Sequence, residues 1–204
     1  MTDTVQITID GRTIKARRGQ SVLQAADASG VYIPRLCWMK TISPVGACRV
    51  CTCKINGRLA AACAEPVREG LEIENDTPEL LEMRQSIVEM LFVEGNHYCM
   101  FCEASGNCEL QATAYRLKIT APRHTYQFPE RGTDATHPDI FVDRNRCILC
   151  GRCVRAAREM DGKPIFQFLG RGFDRHIGVN SGEGLVGTSI RVTDATISSC
   201  PTCP

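Results

Sequence analysis

Residues 5–16 read VQITIDGRTIKA. Val5, Ile7 and Ile9 alternate with polar residues, the period-two pattern of a half-buried strand, and Asp10-Gly11 is a hairpin turn signal. A second strand follows through Thr13 to Ala16. Ser21 is a helix N-cap for Val22 to Ala28, and Gly30 ends that run. Tyr32-Ile33-Pro34 must then leave helical geometry, because the residue before a proline is pushed to extended backbone. The chain reaches its first cysteine, Cys37, from that extended stretch.

Strand, strand, helix and then a cysteine loop predict an α+β unit of β-grasp ferredoxin type over residues 1–76. Short strands around Thr52 to Ile55 and Leu71 to Ile73 would complete its sheet. Thr77-Pro78-Glu79 is a strong helix start: an N-cap, a proline in the first turn and an acid that the helix dipole favours. Leu80, Leu81, Ile87, Val88, Leu91 and Phe92 give that helix an apolar face. With another short helix over residues 104–115, it makes a central helical domain, residues 77–121. From Pro122 to Pro138 the composition is polar and proline-containing, a connecting loop. The C-terminal domain, residues 122–204, then holds a third cysteine loop, a helix near Val154 to Met160 and Gly-rich strands or turns from Gly170 to Gly187.

The 204 residues include 13 cysteines, and 24 basic against 23 acidic residues leave a net charge of +1. No global field draws in nucleic acid or anionic lipid. The N-terminus lacks a basic segment followed by an apolar run, so no signal peptide is expected. No apolar stretch is long enough to span a bilayer, so membrane insertion is not expected either. A cytoplasmic, reducing setting is the expectation, and there cysteines bind metal more often than they pair as disulfides.

Most of the cysteines fall into three groups. The first, Cys37, Cys48, Cys51 and Cys63, reads C-x10-C-x2-C-x11-C, and four thiolates suit a 2Fe–2S cluster. Gly46 and Ala47 are small enough to let backbone N–H groups approach the inorganic sulfides. A four-cysteine zinc site is the bland alternative. Cys53 lies on a strand and reads as a small buried core residue. The second group, Cys99, Cys102 and Cys108, is one thiolate short of a 4Fe–4S site, and His97 is the nearest ligand-capable residue. A neutral imidazole in place of a thiolate removes a negative charge and raises the reduction potential. A structural histidine beside an open or water-bound iron is the other reading, and Glu94 and Glu103 are weaker oxygen candidates. The third group, Cys147, Cys150 and Cys153, is a C-x2-C-x2-C run with Cys200-Pro201 at a distance, the pattern of half a bacterial ferredoxin. A second 4Fe–4S cluster is the economical assignment, and Cys203, which also precedes proline, competes with Cys200. Arg144, Arg146, Arg152, Arg155 and Arg158 crowd this loop, either as solvated or docking charge or to offset the cluster's negative charge. No nucleophile with a base, phosphate loop or dinucleotide turn is visible, so neither flavin nor NAD binding is expected on this chain.

The stretch Cys37 to Cys63, the segment from Glu94 to Gln111 and the run Arg146 to Val154 together resemble the N-terminal part of the large iron–sulfur subunit of respiratory complex I. They also resemble the small iron–sulfur subunit in the diaphorase half of NAD-reducing nickel–iron hydrogenases, which stops soon after its third cluster. The resemblance implies one 2Fe–2S and two 4Fe–4S clusters relaying electrons between a flavin-containing, NADH-binding subunit and the small and large hydrogenase subunits. In the complex I pattern the histidine ligand stands four residues before the first cysteine. Gly95 holds that position here, and His97 stands two before. An NAD-dependent formate dehydrogenase, a complex I-like NADH dehydrogenase or an iron-only hydrogenase is the alternative setting, and a zinc-binding interaction module is a third.

Overall fold

A computed structural model describes residues 3–202. The chain divides into two compact units. The first comprises residues 1–38 and 44–88, the second residues 39–43 and 89–204.

In the first unit, β1 (Thr4–Ile9) and β2 (Arg12–Arg17) form the expected hairpin, with Asp10 and Gly11 at φ 48° and 77°. Helix α1 (Val22–Ala28) is capped at Ser21, whose side chain accepts from the Gln24 N–H while Gln24 Oε1 accepts from the Ser21 N–H. That reciprocal box satisfies donors that a helix start leaves over. Strands β3 (Thr52–Ile55), β4 (Arg58–Ala61) and β5 (Leu71–Glu74) complete a five-stranded sheet in the order β2-β1-β5-β3-β4. Only the β1–β5 pair is parallel. Val5, Ile7 and Ile9 point into the core with Val22, Leu23, Ile55, Leu71 and Ile73, as their alternation requires. The sheet therefore carries the helix on one apolar face and leaves its loops to hold the cysteines. The fold is mixed α/β.

Helix α2 (Pro78–Glu94) starts as read, with Thr77 Oγ1 accepting from the Leu80 N–H at 3.2 Å. Its buried stripe differs from the expected one. Leu80 and Val88 are buried, but Leu81 is exposed and Arg84 takes the position one turn after Leu80. Arg84 donates to the carbonyls of Asn75 (2.9 Å) and Thr52 (2.8 Å) and to Asn75 Oδ1 (2.9 Å). It closes open backbone acceptors under β3 and β5, which no leucine can do.

The second unit holds α3 (Glu109–Arg116), α4 (Arg152–Glu159), the hairpin β8 (Phe166–Leu169) with β9 (His176–Val179), and α5 (Ala195–Ser198). Helix α3 begins later than residue 104, because Cys108 is held extended at φ −118°, ψ 122°. The region read as a loop contains β6 (Thr133–Asp134), paired with β7 (Val142–Asp143). Asp134 fixes it by accepting from Thr136 Oγ1 at 2.7 Å and from the Leu185 N–H at 3.1 Å. Among the described residues, no helix is long and apolar enough to cross a membrane.

Candidate metal centres

The first thiol group is assembled by the start of α1. The N–H groups of Val22 and Leu23, which have no partner inside the helix, donate to Glu65 O (2.8 Å) and Ala62 O (2.9 Å) and so fix the backbone on both sides of Cys63. Gly46 turns the loop at φ 63°, and a Cβ there would lie 3.3 Å from the Ala61 Cβ. Cys37, Cys51 and Cys63 are buried and Cys48 is half-buried. Cys37 Sγ is hydrogen-bonded to Cys48 and Cys63, and Cys63 to Cys51. The Cys37 N–H also donates to Cys48 Sγ at 3.4 Å. Hydrogen bonds from Cys48 and Cys63 pull the Cys37 thiol far down, and the Cys63 bond brings Cys51 to about 7. The Cys37 contact pushes Cys48 and Cys63 up. The four thiols are thus linked in pairs, Cys48 to Cys37, Cys37 to Cys63 and Cys63 to Cys51. Cys53 is fully buried, with Arg84 Nη2 at 3.6 Å and Asn75 Oδ1 at 3.7 Å, apart from that set. Burial pushes its thiol up to about 12.

The second group surrounds a small cavity whose wall includes His97, Cys99, Cys102, Cys108, Arg146 and Thr202. The peptide before His97 is tied by the Asn96 N–H to Asn145 O at 2.8 Å, and Phe92 meets the imidazole edge-on at 5.5 Å. His97 Nε2 is buried and has no hydrogen-bond partner. Burial, then the charges of Arg146 and Arg131, hold this imidazole down to about 4, so it is neutral at pH 7 with a lone pair to give. A buried nitrogen without a partner is costly, and a metal is one way to satisfy it. The donor set fits a three-thiolate, one-imidazole cluster site. Cys108 stands at the start of α3, where burial raises its thiol while the N–H groups of Gln111 and Leu110 favour the thiolate. Glu94 and Glu103 are occupied otherwise: Glu94 lies 3.7 Å from Arg131, and Glu103 lies 2.7 Å from Arg146.

In the third group, Leu149 (φ 54°) and Gly151 (φ 67°) bend the loop so that Cys147 Sγ receives the Leu149 N–H at 3.4 Å. A Cβ on Gly151 would lie 2.9 Å from Phe168 Cζ, so this close approach needs glycine. Backbone N–H groups of Arg152 and Val154 face Cys150 and Cys153, and burial pushes Cys150 up to about 12. Cys200 acts electrostatically on Cys147, Cys150 and Cys153 alike. Together with Cys147 and Cys153 it lines an apolar cavity of about 190 Å³. The competitor Cys203 lies outside the described residues. Among those residues no three His, Cys, Asp or Glu side chains converge as a single ion would require.

The arginines near the third group divide by role. Arg158 is exposed. Arg144 donates to Ile177 O at 2.8 Å. Arg152 is buried and paired through both Nη atoms with Glu109, at 2.6 and 2.7 Å. Arg146 reaches Cys102 in the second group. Sequence reading assigned Arg146 to its own loop alone, since nothing in local spacing reports a partner 44 positions away.

Comparison with known proteins covers the chain in three parts. Residues 2–78 match the 2Fe-2S iron-sulfur cluster binding domain. Residues 84–123 match the NADH-ubiquinone oxidoreductase-G iron-sulfur binding region, and residues 137–202 the ferredoxin-like domain of NADH-quinone oxidoreductase subunit 3. The NAD-reducing hydrogenase HoxS subunit gamma of Cupriavidus necator is 44% identical over 179 residues, 87% of this chain and 76% of that protein. The NADPH-Fe(3+) oxidoreductase subunit alpha of Geobacter sulfurreducens is 34% identical over 97% of this chain, which spans 23% of it. The 78 kDa NADH-ubiquinone oxidoreductase subunit of Candida albicans is 34% identical over 85% of this chain, which spans 25% of it. A crystal structure of an NAD+-reducing NiFe-hydrogenase in the H2-reduced state superposes with a TM-score of 0.94 at 43% identity, covering 97% of this chain and 85% of that one.

Proposed function

Because the chain belongs to the family of the gamma subunit of NAD-reducing hydrogenases, we propose that it is the electron-transfer subunit of a hydrogen:NAD+ oxidoreductase complex and has no active site of its own. One observation carries the reading: each of the three matched domains contains one of the three cysteine groups. Cys37, Cys48, Cys51 and Cys63 hold the 2Fe–2S cluster. His97, Cys99, Cys102 and Cys108 hold one 4Fe–4S cluster, and Cys147, Cys150, Cys153 and Cys200 the other. When bound, these clusters take up and release single electrons. The chain's own residues present the thiolates, shield them from water and aim backbone N–H groups at the sulfurs, which tunes the potentials.

The partners are a flavin-containing NADH-binding subunit on one side and the hydrogenase small and large subunits on the other. The names of the hydrogenase relatives support this. So do the exposed side chains of Tyr98, Met100 and Phe101 beside the second group, an apolar surface that a neighbouring subunit would cover. The complex I and NADPH-Fe(3+) oxidoreductase relatives, each 34% identical over 85% or more of this chain, support a second setting, and the chain spans about a quarter of their length. The reading is of a cytoplasmic complex.

Anaerobic co-purification with partners, counting iron, acid-labile sulfide, nickel and flavin, tests it. A brown complex with iron and sulfide for one 2Fe–2S and two 4Fe–4S clusters is expected, and a colourless preparation lacking both would sink the reading. Cys150→Ser should remove one 4Fe–4S signal and stop hydrogen-dependent NAD+ reduction, while NADH still reduces the partner's flavin.

A further inference from the structure

Arg146 directly precedes Cys147, yet its side chain turns to the second group. Nη1 lies 3.5 Å from Cys102 Sγ and 2.7 Å from Glu103 Oε2. Nε lies 3.1 Å from Asp143 Oδ2, and the Arg146 carbonyl accepts from Thr202 Oγ1 at 2.9 Å. The planar fork is thus held at its Nε edge by one carboxylate and aimed at the sulfur by the other nitrogen. The side chain also forms part of the cavity wall with His97, Cys99, Cys102 and Cys108.

We propose that Arg146 sets the reduction potential of the second centre by placing a cationic N–H donor on the Cys102 sulfur. This rests on the reading that His97 and the three cysteines hold a cluster. Reduction adds one electron, delivered from a neighbouring centre, and no bond forms or breaks. The added negative charge spreads onto the ligand sulfurs, so a fixed cation bonded to one of them stabilises the reduced state more than the oxidised state. The neutral imidazole acts in the same direction from another side of the cavity. Arg146 is therefore a positioning residue whose effect reaches the cluster through Cys102. Glu103, drawing on the same Nη1, moderates it.

The test is a redox titration of the intact complex followed by electron paramagnetic resonance. In Arg146→Gln the ratio of reduced to oxidised second centre at a fixed potential should fall about tenfold, a downward shift of about 59 mV for a one-electron couple. Iron content should be unchanged and the third centre should move less. Arg146→Lys keeps the charge without the fork and should fall between. Glu103→Gln, at an exposed position outside the cavity wall, should move the ratio up. An unmoved midpoint in Arg146→Gln with its full iron overturns the proposal, as does a fall in Glu103→Gln. Should Arg146→Gln shed the second centre's iron, Glu103→Gln decides alone. A wild-type complex without the second centre's signal would instead defeat the cluster reading beneath it.

Discussion

Gly95 and His97 compete for one volume. A Cβ on Gly95 would lie 2.6 Å from His97 Nε2, 2.8 Å from Cδ2 and 3.1 Å from the Asn145 carbonyl oxygen. The imidazole occupies the room a side chain at 95 would need, so a histidine two residues ahead of the first cysteine requires an empty position four ahead. Gly95→Ala should displace the ring and diminish the second centre's resonance while the first and third persist. His97→Cys should retain a cluster but lower its midpoint, because a thiolate restores the charge that imidazole removes. An unaltered spectrum and midpoint in both variants would take His97 out of the ligand set. The sequence identifies His97 as the nearest available donor. It does not reveal the partnerless buried nitrogen, or the packing of the ring against Gly95, that explain the choice.

Helix α5 has four residues and depends on a distant carboxylate. Asp161 accepts from the N–H groups of Ala195 (2.8 Å) and Thr196 (2.9 Å) and from Thr196 Oγ1 (2.6 Å), capping the turn that leads to Cys200. Asp161→Ala should cost about 1 kcal/mol, the worth of an N-cap, and loosen Cys200. Thermal melting and the third centre's resonance would report both effects. Burial raises the Asp161 carboxyl, but the Thr196 and Ala195 bonds and the Lys163 charge outweigh it, leaving it below its ordinary 3.8. Its stabilisation is complete above that value and is lost as pH falls through the lower folded value, so Asp161→Asn should flatten the acid end of the melting profile. Other elements were legible to different degrees. β1, β2 and α1 follow from alternation, a turn signal and a cap. The β3–β4 hairpin carries Asn56-Gly57 at φ 46° and 77°, a turn as strong as Asp10-Gly11, but its second strand was hidden because Arg58 and Leu59 face solvent and leave no apolar alternation. Arg84 was invisible for the opposite reason: a charge on a buried stripe reads as surface until its acceptors are known.

Within the second unit the two 4Fe–4S groups are interlocked. Glu109, next to Cys108, pairs with Arg152, which stands between Cys150 and Cys153, and the Glu109 N–H donates to Pro201 O at 2.9 Å, next to Cys200. Glu109→Gln leaves the buried Arg152 guanidinium short of its counter-charge. The loss should be about 2 kcal/mol, below the full figure for a buried pair because Glu109 is half exposed. Iron should then leave both groups to a chelator at matched, faster rates. Acceleration at one group alone would mean that they open independently. Sequence spacing sees three separate loops, since C-x2-C is a local pattern and contacts between residues 102–109, 146–152 and 199–202 have none. The same interlocking has a biosynthetic corollary. Pro201 meets Cys108 from 93 positions farther on, and Thr202 forms part of the cavity wall around the second group. A ribosome delivers those residues long after it has released the cysteines they cover. The nascent chain therefore carries its second group uncovered until residues 201 and 202 are made and draw the cover across.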